Sequence, residues 1–224
     1  MTMENVLTFA TGPLFRFSLA IMALGTLRLL WTSFQGIIQS LRRDGDRPDI
    51  SGALKDTFEW VFPVKTIIQT RPVFSIFSLL FHLGMIIVIL FHQDHLLTLR
   101  RIITTLWPPI PRNITDLLTC ASILSGIFLL GFRIFNRVAK NISGPADYAT
   151  LGTVIASMLT GFVASRSWSP IPHDTAVLCH VLLGNLILIM LPLTKLSHAF
   201  LYPVIRIATL AAWRFPSRVK AVKQ

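Results

Sequence analysis

Four of the chain's six histidines form a spaced pattern. His82 and His92 stand ten apart in one apolar run, and His180 and His198 stand eighteen apart in and just past another. An ionisable group inside a membrane-length apolar helix is costly, and it marks a functional position by default. Neutral imidazole is less costly than a fixed charge and ligates transition metals through either ring nitrogen. Two antiparallel helices with two imidazoles each offer facing pairs at two depths. Ligation of b-type haem iron from both sides of the macrocycle needs one nitrogen from each face, which such pairs supply. The plainer alternative for any single histidine is a hydrogen bond to a neighbouring helix; the paired spacing favours haem. His95 follows His92 by three residues, and His173 precedes the last long apolar run. They are rivals for the outer ligand positions, and otherwise interfacial or proton-handling groups.

The elements that must hold these residues are legible in the composition. Hydrophobic residues make up 53% of the 224 and charged residues only 14%, with a mean hydropathy of +0.64. That balance points to an all-α, polytopic membrane bundle. About 20 apolar residues are needed to cross a bilayer. Five segments qualify, at about 12–34, 73–95, 114–133, 148–165 and 175–200. They form one five-helix domain over 1–213, with a cytoplasmic loop at 35–72 and a basic tail at 214–224. Within the loop, Ser51 to Pro63 alternates apolar and charged residues and reads as an amphipathic surface helix, packing on the membrane or docking a soluble partner. A sixth apolar stretch, Ala199 to Trp213, is broken by Pro203 and Arg206 and reads as a continuation of helix five or an interfacial helix. The start, "MTMENVLTF", lacks the basic region of a signal peptide, so the first apolar segment is expected to stay as an anchor.

The net charge of +11 is spread over loops rather than gathered into a stripe, which argues against nucleic acid. Arg42, Arg43, Arg47, Lys55, Lys65 and Arg71 lie between helices one and two, and Arg133, Arg137 and Lys140 between helices three and four. With the basic tail, they predict an outside N-terminus and a cytoplasmic C-terminus. Cys120 and Cys179 sit inside apolar runs as packing residues. No C-x-x-C-H or cysteine cluster offers a site for c-type haem, zinc or an iron–sulfur centre.

Helix geometry gives mixed support for the nested pairs. Eighteen residues turn through about 1800°, so on a continuous helix His180 and His198 share a face. Ten residues turn about 1000°, leaving His82 and His92 roughly 80° apart. The rises, about 15 Å and about 27 Å, also differ. Tilt and a bend at Pro192 are the available corrections.

These residues resemble a known family. Histidines ten apart on helix two and eighteen apart on helix five are the motif of the gamma subunit of respiratory nitrate reductase, a five-helix dihaem cytochrome b. The flanks "SLLFHLG", "ITDLLT", "ADYATLGTVIASMLTGF" and "LPLTKLSHAF" are similar to it as well. The resemblance covers roughly Arg71 to Arg206. It implies that His82 and His198 bind a cytoplasmic-side haem b, and that His92 and His180 bind an outer one. The basic loop and "QTRP", Gln69 to Pro72, look like the branch found with heterodisulfide-reductase-like iron–sulfur subunits. That branch includes the small cytochrome b subunit of sulfate-reducer complexes of the high-molecular-weight cytochrome c type. The implied function is electron transfer across the bacterial cytoplasmic membrane in anaerobic respiration. Electrons would pass between a quinone pool, such as menaquinone, or a periplasmic multihaem cytochrome c and a cytoplasmic iron–sulfur subunit, alongside other membrane subunits.

Haem propionates need cationic or hydrogen-bonding partners. Arg71 and Lys195 are candidates at the inner haem, Arg16 and Arg112 at the outer one, and Arg28 lies toward the inner end of helix one; snorkelling to headgroups is the alternative for all five. Gln93, Asp94, His95 and Arg100 form a candidate quinone cluster, or else a solvated helix end. Apart from that cluster, no catalytic site is expected on the chain. Two rival readings differ in what they predict. A non-redox membrane scaffold or transporter would use Asn185, Asp116 and Arg28 within the membrane and would be colourless. A four-helix cytochrome b of the formate dehydrogenase type would spread its ligands over more helices, whereas helices one, three and four here contain no histidine.

Overall fold

In a computed structural model the described residues are 2–44, 52, 55, 57, 72–100, 103, 107–166, 169–198, 201, 202, 204 and 205. Most of the amphipathic segment at 51–63, Arg71, and the chain from 206 onward, with its basic tail, lie outside them. The described residues are all-helical, with no strand. Helix α1 runs Met3–Phe9, a π-turn Ala10–Leu14, and α2 Phe15–Asp44. Next come α3 at Pro72–Phe91 and a short α4 at Gln93–Leu99. Then follow α5 at Arg112–Phe135, a short α6 at Arg137–Asn141, α7 at Pro145–Ala164 and α8 at His173–Leu193, with a 3-10 turn at Lys195–Ser197. Five helical stretches are long and apolar enough to cross a membrane: Met3–Gly36, Pro72–Phe91, Arg112–Phe135, Pro145–Ala164 and His173–Leu193. The chain is a multi-pass helical membrane protein.

The expected boundaries differ in three places. The first span begins at Met3 rather than near residue 12. Thr2 caps it by accepting from the Asn5 N–H, and the π-turn absorbs Pro13, whose ring removes a main-chain donor. The second helix does not run to residue 95; it ends at Phe91, and His92 is extended, with φ −68° and ψ 133°. The fifth does not reach residue 200. Past Pro192, Thr194 is extended, and both its N–H and its Oγ1 close on the Met190 carbonyl. The five-turn argument that set His180 and His198 on one face therefore lapses, because no single helix carries both.

Two compact units divide the chain. The first comprises Met1–Arg16 and Lys65–Ile187 and is organised around α5. Thr115, Thr119, Ser122, Gly126 and Leu129 are spaced four, three, four and three apart and form a buried stripe. Small and hydroxylated residues at that spacing let helices approach closely within a bilayer, where no hydrophobic force distinguishes protein from lipid. A Cβ on Gly84 of α3 would lie within 2.2 Å of Ser122 Oγ, and one on Gly126 within 2.9 Å of Phe81 and Ile155. Thus α3 and α7 both lean on α5. Phe77 stacks on Phe128 at 4.1 Å between ring centres, further along the α3–α5 seam.

Local contacts fix the ends. Asp147 Oδ2 accepts from the Gly144 N–H where Pro145 opens α7, a position that also favours a carboxylate. Tyr148 donates to the Arg133 carbonyl and ties the start of α7 to the last turns of α5. At the other end of these two helices Arg166 pairs with Asp116 at 2.8 Å and lies over the Phe162 ring. The outward faces stay apolar: Leu117 and Leu124 are 69% and 65% exposed. Patches of that kind require lipid or a partner. In the second unit, Phe17–Val64 and Leu188–Gln224, Gly25 makes room for Pro192, whose Cβ would sit 2.5 Å from an added methyl.

Candidate functional site

The site grows from the break after α3. A helix end leaves carbonyls without partners; here three of the last four are taken up by residues beyond the helix. Val88 receives the His92 N–H, Leu90 receives the Trp107 indole N–H at 2.7 Å, and Phe91 receives the Ile110 N–H. His92 then caps the new helix: its Nδ1 accepts from the Asp94 N–H at 3.3 Å. An acid in the first turn suits the positive end of α4. Gln93, Asp94 and Arg100 are exposed, whereas the His95 ring turns inward and donates from Nδ1 back to the Val88 carbonyl at 3.2 Å.

His180 comes to the same place from α8. Its Nδ1 donates to the Ser157 carbonyl of α7 at 2.8 Å. Gly161 makes this possible, since a Cβ there would stand 2.8 Å from the ring. The Nε2 atoms of His95 and His180 are 3.5 Å apart. Their ring centres are 5.8 Å apart and their planes differ by 10°. Atoms of a five-membered ring with partial-double bonds lie about 1.15 Å from its centre. Nitrogens 3.5 Å apart can therefore put the centres at most about 5.8 Å apart, with all four points in line. The observed separation equals that limit. The two imidazoles meet tip to tip in nearly one plane, rather than face to face.

The tautomers follow from the partners. A carbonyl only accepts, so Nδ1 of His95 and of His180 carries the hydrogen, and each Nε2 in the neutral ring presents a lone pair to the other. Burial, then the neighbouring His180 and His92 rings, lowers the His95 pKa to about 4, so its ring is neutral at neutral pH. His92 lies beside this pair, its ring centre 5.3 Å from that of His95. Because its Nδ1 accepts, its own hydrogen belongs on Nε2.

His82 is on α3 in the first unit, with Nδ1 donating to the Ser78 carbonyl at 2.7 Å. His198 belongs to the second unit, just past the 3-10 turn, with Nδ1 donating to the Lys195 carbonyl. His173 opens α8 and donates to the Ala164 carbonyl. Among the expected cations, Arg112 donates to the Ser165 carbonyl, Arg16 belongs to the first unit, Arg28 and Lys195 belong to the second, and Arg71 lies outside the described residues. Asp116, assigned to the transporter reading, is the partner of Arg166. Among the described residues, no group of three or more His, Cys, Asp or Glu is arranged to hold a metal ion. A haem with two axial histidines needs only two protein ligands.

Sequence reasoning missed Ser157, Gly161 and the stripe on α5. It also missed the part of Asn185, which is buried and donates at 3.0 Å to the Ala10 carbonyl at the π-turn. Among the described residues, its buried Oδ1 has no hydrogen-bond partner. The stripe had a readable signal, small residues at heptad spacing; the carbonyl of Ser157 had none.

A protein of Nitratidesulfovibrio vulgaris strain Hildenborough is 30% identical to the chain over 200 residues, 87% of each. The chain belongs to that protein's family. The relative is described simply as "Protein", so membership assigns no activity. No family profile matches the chain, and no solved structure matches it significantly.

Proposed function

We propose that the chain is a dihaem b-type cytochrome, the membrane electron-transfer subunit of a larger redox complex in the bacterial cytoplasmic membrane. One observation carries this reading. His95 and His180 each hold Nδ1 on a main-chain carbonyl and bring their Nε2 atoms to 3.5 Å from each other. Metal-bound histidines are held in just this way by a second hydrogen bond that fixes the tautomer and raises the basicity of the ligand. The donor set thus fits axial ligation of haem iron. Following the sequence resemblance, His82 and His198 would hold the inner haem, and His180 with a histidine from the α3–α4 junction would hold the outer one.

A bound haem supplies one-electron exchange, and the protein sets its surroundings. The carbonyls of Ser78, Val88, Ser157 and Lys195 hold the rings in place, so little rearrangement accompanies a change of charge. Gln93, Asp94 and Arg100 line the exposed side of α4 and are the groups available to a quinone such as menaquinone, next to His95. Electrons pass between that side, or a periplasmic multihaem cytochrome c, and an iron–sulfur subunit on the cytoplasmic side. The N-terminus is outside, as the basic loops direct. Asp116 paired with Arg166 removes one intramembrane charge that a transporter would have used.

The test is the inner pair. His82→Ala and His198→Ala should each lower the haem content from two per chain to one, and the same haem should be lost in both. Retention of two low-spin haems by both variants would rule the pairing out.

A further inference from the structure

The outer haem has two candidate partners for His180, ten and thirteen residues past His82. We infer that His95, rather than His92, is the second axial ligand, and that His92 serves as the cap that turns His95 inward. The inference rests on the dihaem reading and departs from the ten-residue spacing that the sequence resemblance implies.

Three independent features lead to it. The first is direction. An imidazole lone pair points along the line from ring centre to nitrogen, and for His95 and His180 these lines coincide. That is the arrangement two trans ligands need on one iron. A metal–imidazole bond of about 2 Å puts the two nitrogens about 4 Å apart. The 3.5 Å gap is slightly under this, so a small parting of the rings suffices.

The second is electronic. Two lone pairs held head-on repel each other, and both rings are locked in that tautomer by the Val88 and Ser157 carbonyls. An electron-pair acceptor between them converts the repulsion into two bonds. Nothing in the packing of a plain interhelical hydrogen bond explains the arrangement, because neither nitrogen has a hydrogen to give.

The third is what His92 does instead. Its Nδ1 is engaged by the Asp94 N–H, so its lone pair is spent on the helix cap and its Nε2 carries the hydrogen. To ligate through Nε2 it would have to surrender the cap of α4. The extended backbone at His92 brings the Val88 carbonyl within reach of the His95 ring, seven residues on.

The experiment compares variants of the full chain, expressed with haem available, by pyridine haemochrome count and low-spin ferric spectrum. The wild type should carry two haems. His95→Ala and His180→Ala should each lose the same one, or hold it only as a five-coordinate high-spin species, while His92→Asn, which keeps a side-chain acceptor for the Asp94 N–H, keeps two low-spin haems. His95→Met, which keeps a ligand and guards against a folding defect, should keep two haems with the outer one shifted to histidine–methionine character. Loss of a haem from His92→Asn, with two low-spin haems kept by His95→Ala, would overturn the assignment. So would an unshifted spectrum in His95→Met. A folded wild type without haem would sink the dihaem reading and this inference with it. A wild type with two haems, together with a failed His95 result, would sink this inference alone.

Discussion

At the scale of single residues, the proposal depends on which ring nitrogen of His95 and of His180 carries the hydrogen. Six histidines in one chain look alike in sequence; only their partners separate them. The 10° between the His95 and His180 planes carries a spectroscopic consequence. Near-parallel axial imidazoles give a rhombic low-spin ferric signal, so the outer haem should show one in electron paramagnetic resonance. A single strongly anisotropic, large-g feature for that haem would contradict the pairing. Gly161 gives a second prediction. A methyl there meets the His180 ring at 2.8 Å, and overpacking of this kind costs about 1–3 kcal/mol. Gly161→Ala should therefore weaken the outer haem selectively, leaving the haem at His82 in place, as a haemochrome titration would show.

At the scale of elements, α5 is the helix on which the first unit is assembled. Gly84→Ala should destabilise the α3–α5 contact by about 1–3 kcal/mol, because its methyl would fall 2.2 Å from Ser122 Oγ and 3.1 Å from the Leu118 carbonyl. Adding Ser122→Ala removes the nearer obstacle and should restore part of the loss, read as the thermal midpoint in detergent. An unchanged midpoint in Gly84→Ala would mean the helices do not approach as described. The five spans were legible from hydropathy alone, because a bilayer imposes a length that composition must meet. Their ends were not. Hydropathy does not register that His92 can cap a helix, that a π-turn can absorb Pro13, or that Thr194 can close on Met190. Those are hydrogen-bond decisions within one or two residues. For the same reason the sequence paired His180 with His92, whereas the structure sets the His95 ring against His180: counting along a continuous helix cannot see a break.

At the scale of the whole molecule, the proposed orientation follows from the placement of basic residues in the sequence. The proposed topology predicts that a lone cysteine at position 2, made by Thr2→Cys in a chain free of Cys120 and Cys179, reacts with a membrane-impermeant maleimide in intact spheroplasts. A lone cysteine made by Ala139→Cys, in the loop with Arg133, Arg137 and Lys140, should react only after permeabilisation. The opposite pattern would invert the bundle and exchange the inner and outer haems. The central claim stands on the haems themselves. It is tested most directly by a dithionite-reduced minus oxidised spectrum of the purified chain with a pyridine haemochrome count. The account predicts two b-type haems per chain; a folded, colourless protein from cells supplied with haem would contradict it.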